Sequence, residues 1–141
     1  IAEMHDQSRK KLQILNFDLP LKPVQVLGDA IQLNEAIANL INNAIKYTPP
    51  GGQIDVHLRL DGTHVVFEVK DNGYGVPEEQ QARLFEPFYR VRTTETKKIE
   101  GTGLGLHLVK NIVDRHEGRM IFSSVYGEGS TFGFTLPAAR D

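Results

Sequence analysis

The chain has 141 residues, 16 Lys and Arg against 18 Asp and Glu for a formal net charge of -2, and no cysteine. That is one domain's worth of chain with enough mass to bury a core, and its dispersed basic charge leaves no electrostatic footprint for DNA or RNA. Disulfides and thiolate metal sites are excluded, and no apolar run reaches the length of a membrane span or signal peptide. The expected location is therefore cytoplasmic, without direct membrane contact. The chain begins at Ile1 rather than Met, so it is expected to be cut from a longer protein whose membrane attachment is open.

Residues 1–11 are charged and polar, compatible with the end of an upstream helix or linker, and Leu12 to Leu19 reads as a strand stopped by Pro20. Val24 to Leu27 is a second short strand candidate, and Gly28-Asp29 offers a turn and a helix N-cap. Leu33 to Thr48 is an amphipathic helix: at roughly 100° per residue, Leu33, Ile37, Leu40, Ile41 and Ala44 gather on one side. Glu35, Asn39, Asn42, Asn43 and Lys46 gather on the other. Each Asn costs roughly half a kcal/mol in helix propensity relative to Ala, so three on one face suggest a task. Neutral amide oxygens suit a hard cation or nucleotide phosphates, while a plain surface helix of poor composition is the competing reading. Pro49-Pro50-Gly51-Gly52 ends the helix.

Gln53 to Leu60 alternates as a half-buried strand, and Asp61-Gly62 signals a hairpin whose return strand starts at Thr63. Val65, Phe67, Val69 and Asp71 then share one face of the return strand. Asp71 points to the side its apolar neighbours bury, which is costly unless something donates hydrogen bonds to it. Asn72 to Pro77 is a loop whose glycines admit a ligand close to the backbone. Glu78 to Leu84 is a short helix, followed by Phe85 and Phe88 as aromatics able to pin a mobile segment. The charged stretch from Tyr89 to Gly101 lacks periodicity and reads as a flexible loop. Gly101 to Leu106 opens a helix to about His116 with Leu104, Leu108, Val109, Ile112 and Val113 inward, and a glycine-preceded helix start can hold an anion. Arg119 to Val125 and Thr131 to Leu136 form a hairpin around Gly127-Glu128-Gly129, with Phe132, Phe134 and Leu136 inward and a frayed tail from Ala138.

These elements imply an α+β fold, with helices on one face of a mostly antiparallel sheet. His107 and His116 lack partners at metal-ligand spacing, and Ser123 and Ser124 lack a His and carboxylate for a triad. A lone G-x-G-x-G or D-x-G-x-G is more often a turn or strand exit, so the weight lies on the ordered set of motifs.

That set resembles the catalytic ATP-binding domain of bacterial two-component sensor histidine kinases, in the superfamily that also holds the gyrase and MutL ATPases. The resemblance runs from about Leu27 to Leu136. Asn39 to Thr48 (NLINNAIKYT) resembles the N box, Asp71 to Pro77 (DNGYGVP) the G1 box, Phe85 to Phe88 (FEPF) the F box, and Gly101 to Leu106 (GTGLGL) the G2 box. Gly127 to Phe132 (GEGSTF) resembles the terminal glycine turn. The implied fold is a Bergerat-type α/β sandwich, a mostly antiparallel mixed sheet covered on one face by three helices. The implied body spans residues 12–137, with 1–11 as linker and 138–141 as tail.

The resemblance implies ATP and Mg²⁺ as cofactors. Asn43 would be the metal ligand, with Asn39 beside it toward the phosphates and Lys46 and Tyr47 on phosphate. Asp71 would accept from the adenine amino group, with Gly73, Gly75 and Val76 in its loop and Thr131 nearby. Gly101, Thr102, Gly103, Leu104, Gly105 and Leu106 would hold the triphosphate under a lid carrying Phe88 and Arg90. The ATPase relatives place a Glu general base where this chain has Asn39, which favours phosphoryl transfer over hydrolysis, although Glu35 one turn earlier can still act on water or the acceptor. The family's phosphoacceptor motif is absent: His5-Asp6 begins like it but continues Gln7-Ser8-Arg9. The implied activity is that of a protein-histidine kinase catalytic domain. Its implied partners are ATP, the dimerisation and histidine-phosphotransfer domain of the same kinase, and a response regulator receiver domain. A conformational ATPase and a non-catalytic nucleotide-sensing module are the alternatives.

Overall fold

The computed structural model describes residues 9, 11–99 and 101–139; the linker reading of His5 and Asp6 lies outside them. The strands are β1 (Ile14–Asp18), β2 (Gln53–Asp61), β3 (His64–Asp71), β4 (Arg119–Val125) and β5 (Gly129–Pro137), and the helices are α1 (Ala30–Lys46), α2 (Glu78–Gln81) and α3 (Gly105–Arg115). The sheet order is β1-β2-β3-β5-β4, with β1 parallel to β2 and every other pair antiparallel. This is the mixed α+β architecture expected from the pattern.

Period-two alternation decides the buried face. Ile54 and Val56 of β2, Phe67 and Val69 of β3, and Phe132, Phe134 and Leu136 of β5 turn to one side. There they meet Ala36, Leu40, Ile41, Ala44 and Ile45 of α1 and Val109, Ile112 and Val113 of α3, while α1 and α3 also pack on each other. Leu40 and Ile41 are each 1% exposed, and burying a side chain of that size contributes about 1.5–3 kcal/mol. Helix α2 is a single turn with no buried residue, so α1 and α3 make up most of the helical layer on the sheet.

Helix α1 begins at Ala30 because Asp29 caps it, its carboxylate accepting from the Ile31 and Gln32 amides at 2.9 and 3.1 Å. Its C-terminal carbonyls are satisfied from a distance in sequence. The Lys11 ammonium donates to the Ile45 and Thr48 carbonyls at 2.8 and 2.9 Å, and the Gln13 amide donates to the same two at 3.0 and 2.6 Å. Both thus answer carbonyls that have no partner inside the helix, and the lysine also suits the negative end of the helix dipole. Partial burial lowers the Lys11 pKa. At the other end of the bundle, His116 couples the helices: its Nδ1 lies 2.7 Å from the Ile112 carbonyl and its Nε2 accepts from the Asp29 amide at 3.0 Å.

Several boundaries differ from the sequence expectation. The first strand is shorter, and Val24 to Leu27 forms no strand; Pro23 lacks a donor and the segment keeps one backbone bond, from Ala139 to Gln25. The hairpin loop is Gly62-Thr63, with Asp61 opposite His64 and Gly62 at φ 60°, one residue later than read. The helix after Pro77 stops at Gln81, and α3 starts at Gly105, so Gly101 to Leu104 is loop. Ala138 is not loose, since its amide donates to the Thr63 carbonyl at 2.8 Å.

Candidate active site

A cavity of about 180 Å³ opens between α1, the loop after β3, the segment from Tyr89 to Val91, and the glycines before α3. Asp71 lies at its sheet end. The carboxylate is 8% exposed and ends β3 on the core face, as strand parity requires. Its Oδ1 accepts from the Gly73 amide at 2.9 Å. Burial pushes its pKa up from 3.8 to about 6, opposed by the backbone donors of Gly73 and Ser130. A carboxylate held this way retains acceptor capacity toward the cavity.

The polar stripe of α1 forms the adjoining wall, contributing Asn39, Asn42, Asn43, Lys46 and Tyr47. The Asn39 amide donates to the Glu35 carbonyl at 2.8 Å, which turns Oδ1 toward α3. A Cβ at Gly105 would stand 3.0 Å from that oxygen, and one at Gly101 would stand 3.9 Å from the Lys46 ammonium. The Asn42 Oδ1 is buried with no hydrogen-bond partner among the described residues. Neutral amide oxygens and a cation therefore face a glycine loop that leads into a helix start.

Between these ends the loop after β3 is pinned on both sides. The Tyr74 amide donates to the Tyr47 carbonyl at 3.0 Å, and the Gly127 amide donates to the Tyr74 carbonyl at 2.7 Å. Gly75 adopts φ 71° with its Cα against the Val125 carbonyl, a conformation and closeness that suit glycine. Ser124 supports the loop from behind, its Oγ accepting from the Val76 amide at 2.8 Å and meeting the Ser130 Oγ at 2.8 Å. Ser124 is thus a scaffold group for this loop.

The segment 89–99 is irregular yet folded. Thr96 is 2% exposed, its Oγ1 donating to the Val91 carbonyl at 2.8 Å and accepting from the Thr93 amide at 3.0 Å. Arg90 lines the cavity with its Nε buried and without a hydrogen-bond partner among the described residues. Phe85 anchors the preceding turn, edge-on to Phe122 and Phe132 at 6.2 and 6.5 Å, and its carbonyl meets His107 Nδ1 at 3.2 Å. His107 Nε2 meets the Asn111 amide at 3.2 Å, so this histidine is spent on holding α3 to the aromatic turn.

Of the expected site residues, Asn39, Asn43, Lys46, Tyr47, Asp71, Gly75, Val76, Arg90, Gly101, Thr102, Gly103, Gly105 and Leu106 converge on the cavity. Five others do not line it. Glu35 is exposed, and only its carbonyl touches the site, through Asn39. Gly73 lies behind Asp71 and serves it through its amide. Phe88 is 72% exposed at φ 68° and contributes backbone, its amide donating to the Gly103 carbonyl at 2.9 Å. Leu104, expected inward, is 37% exposed because it precedes the helix. Thr131 pairs with Lys70 on the opposite sheet face, and Ser130, opposite Asp71, takes its place. The alternation of Phe132, Phe134 and Leu136 already carried that signal, since Ser130 shares their parity. Asn42, Leu84, Tyr89, Val91 and Phe132 complete the lining, the apolar members being legible only once the loop had folded over them.

Comparison with known proteins agrees with this geometry. A family described as histidine kinase-, DNA gyrase B- and HSP90-like ATPase matches residues 28–140. The sensor histidine kinase RcsC of Escherichia coli (strain K12) is 38% identical over 129 residues, covering 92% of this chain and 14% of that protein. Among solved structures, the mycobacterial sensor histidine kinase MprB superimposes with a TM-score of 0.83 at 28% identity, covering 99% of this chain and 93% of that one. Full-length ShkA in complex with AMPPNP gives 0.82 at 28% identity, covering 99% and 28%. The chain belongs to the histidine kinase-, DNA gyrase B- and HSP90-like ATPase family. Within that class RcsC and MprB are sensor histidine kinases, and the chain spans 14% of the length of RcsC. Among the described residues no helix is long and apolar enough to cross a membrane.

Proposed function

We propose that this chain binds Mg-ATP in the cavity and donates the γ-phosphoryl group to a histidine on the dimerisation and phosphotransfer domain of the same kinase, which in turn serves a response regulator receiver domain. The observation that carries this reading is the polarity of the cavity. A buried carboxylate stands at one end, and neutral amides, Lys46 and a glycine loop stand at the other. Asp71 accepts from the adenine amino group, and the triphosphate runs along the asparagine face toward the Gly101 to Gly105 amides. The residues fit Mg²⁺ by their chemistry: Asn39, Asn42 and Asn43 line the wall with neutral amide groups, and Asn43 would hold the ion beside the phosphates. When bound, Mg²⁺ neutralises charge on the phosphoryl oxygens.

For the transfer, an imidazole nitrogen of the acceptor bonds to the γ-phosphorus while the bond to the bridging oxygen of ADP breaks. This chain positions the donor and shields it, with Arg90 and Lys46 facing the transferred group. Asp71 is the sole carboxylate among the described residues lining the cavity, and adenine occupies it. Water therefore lacks a general base beside the γ-phosphate, which favours transfer over hydrolysis. The folded body is assigned to residues 12–137, with the bonded Ala138 and Ala139 closing its edge.

Calorimetric titration with ATP and GTP tests the base assignment. GTP presents a carbonyl where ATP presents the amino donor, so its affinity is expected to be at least roughly 100-fold lower. Equal affinities would remove Asp71 from base recognition.

A further inference from the structure

We propose that Gln80 is a positioning residue that sets Arg90 in the nucleotide cavity, an inference that rests on the nucleotide reading of that cavity. One side chain makes three hydrogen bonds to the two sides of Arg90. Gln80 Oε1 accepts from the Tyr89 hydroxyl at 2.8 Å and from the Arg92 amide at 2.7 Å, and Gln80 Nε2 donates to the Arg92 carbonyl at 2.8 Å. Both backbone groups of Arg92 are thus answered by one amide, as a neighbouring strand would answer them. Tyr89 is held from its other side by the Arg83 guanidinium, 4.7 Å from the ring centroid.

Arg90 lies between these clamped residues, and its Nε is buried without a partner among the described residues. A buried guanidinium donor left open is costly, and the flanking backbone that Gln80 holds opposes its withdrawal. Gln80 itself is immobilised from α2, whose next residue, Gln81, donates to the Val76 carbonyl at 2.9 Å. The connection therefore runs from the adenine-side loop through α2 to the phosphate-side cation. It is preorganisation: the arginine meets the phosphates without first losing side-chain and loop freedom.

The test is a double-mutant cycle in the intact chain, read by calorimetry with Mg-ATP and with adenosine as a ligand lacking phosphates. Gln80→Met keeps length and removes both polar ends. Expected results are a loss of ATP affinity on the order of 5-fold for Q80M and unchanged adenosine affinity. In an Arg90→Ala background Q80M should cost nothing further. Additive losses in the double variant or equal losses for adenosine would each overturn the positioning role while leaving the site intact. Failure of the parent chain to bind either ligand would overturn the nucleotide reading and this inference with it.

Discussion

Replacing Asp71 by asparagine separates what the carboxylate costs the fold from what it gives the site. Its pKa rises from 3.8 to about 6 on folding, burial being the main cause. At roughly 1.4 kcal/mol per pH unit, burial of the charged form costs the native state about 3 kcal/mol. The sign follows from the direction of the shift: the folded state binds the proton more tightly than the unfolded chain. The stability this group contributes is complete below about pH 4 and is lost as pH rises through about 6. The amide introduced by Asp71→Asn has no charge to desolvate, and its oxygen can still accept from the Gly73 amide. Urea unfolding between pH 4 and pH 7.5 should therefore show parent and Asp71→Asn about equal at the acid end, with the variant more stable by up to about 3 kcal/mol near neutrality. The same variant should bind ATP more weakly, because the charged acceptor for the adenine amino group is gone. Parallel stability profiles, or a variant less stable than the parent at pH 7.5, would refute the claim that Asp71 is held at a folding cost for the sake of a ligand.

Two other outcomes are expected. Asn43→Ala should weaken Mg-ATP binding by removing a ligand oxygen, and Asn43→Asp should alter its metal dependence by adding charge beside the triphosphate; calorimetry indistinguishable from the parent for both would exclude Asn43 as the ligand. Limited trypsin digestion should cut the apo chain at the exposed Arg92, Lys97 and Lys98 ahead of Arg90, whose Nε is buried, and a non-hydrolysable ATP analogue with Mg²⁺ should slow those cuts. Cleavage unaffected by nucleotide would mean that the segment does not close over the site.

Local periodicity was enough to place the asparagine row and the carboxylate. On α1, 3.6-residue spacing separates Leu40 and Ile41 from Asn39 and Asn43, and on β3 strict alternation commits Asp71 to the core face. The same alternation on β5 selects Ser130 over Thr131, a distinction that motif position alone does not make. Tertiary contacts account for the other differences. Lys11 and Gln13 cap a helix more than thirty residues away, and nothing near them in sequence marks that role. Phe88 looks like an anchor by residue type, yet its left-handed backbone against Gly103 sends the ring outward. Gln80 sits in an ordinary polar stretch, and only the return of the chain at Arg92 gives it partners.

Phosphotransfer itself tests the central claim most directly. The chain is incubated with Mg²⁺ and ATP labelled at the γ-phosphate, alone and with a separately supplied helical domain bearing an acceptor histidine, and acid-labile label is followed on each. The account predicts no stable label on this chain alone and transfer to the acceptor histidine when it is present, abolished by replacing that histidine. Label retained on this chain, or release of free phosphate without labelling of the acceptor, would contradict it.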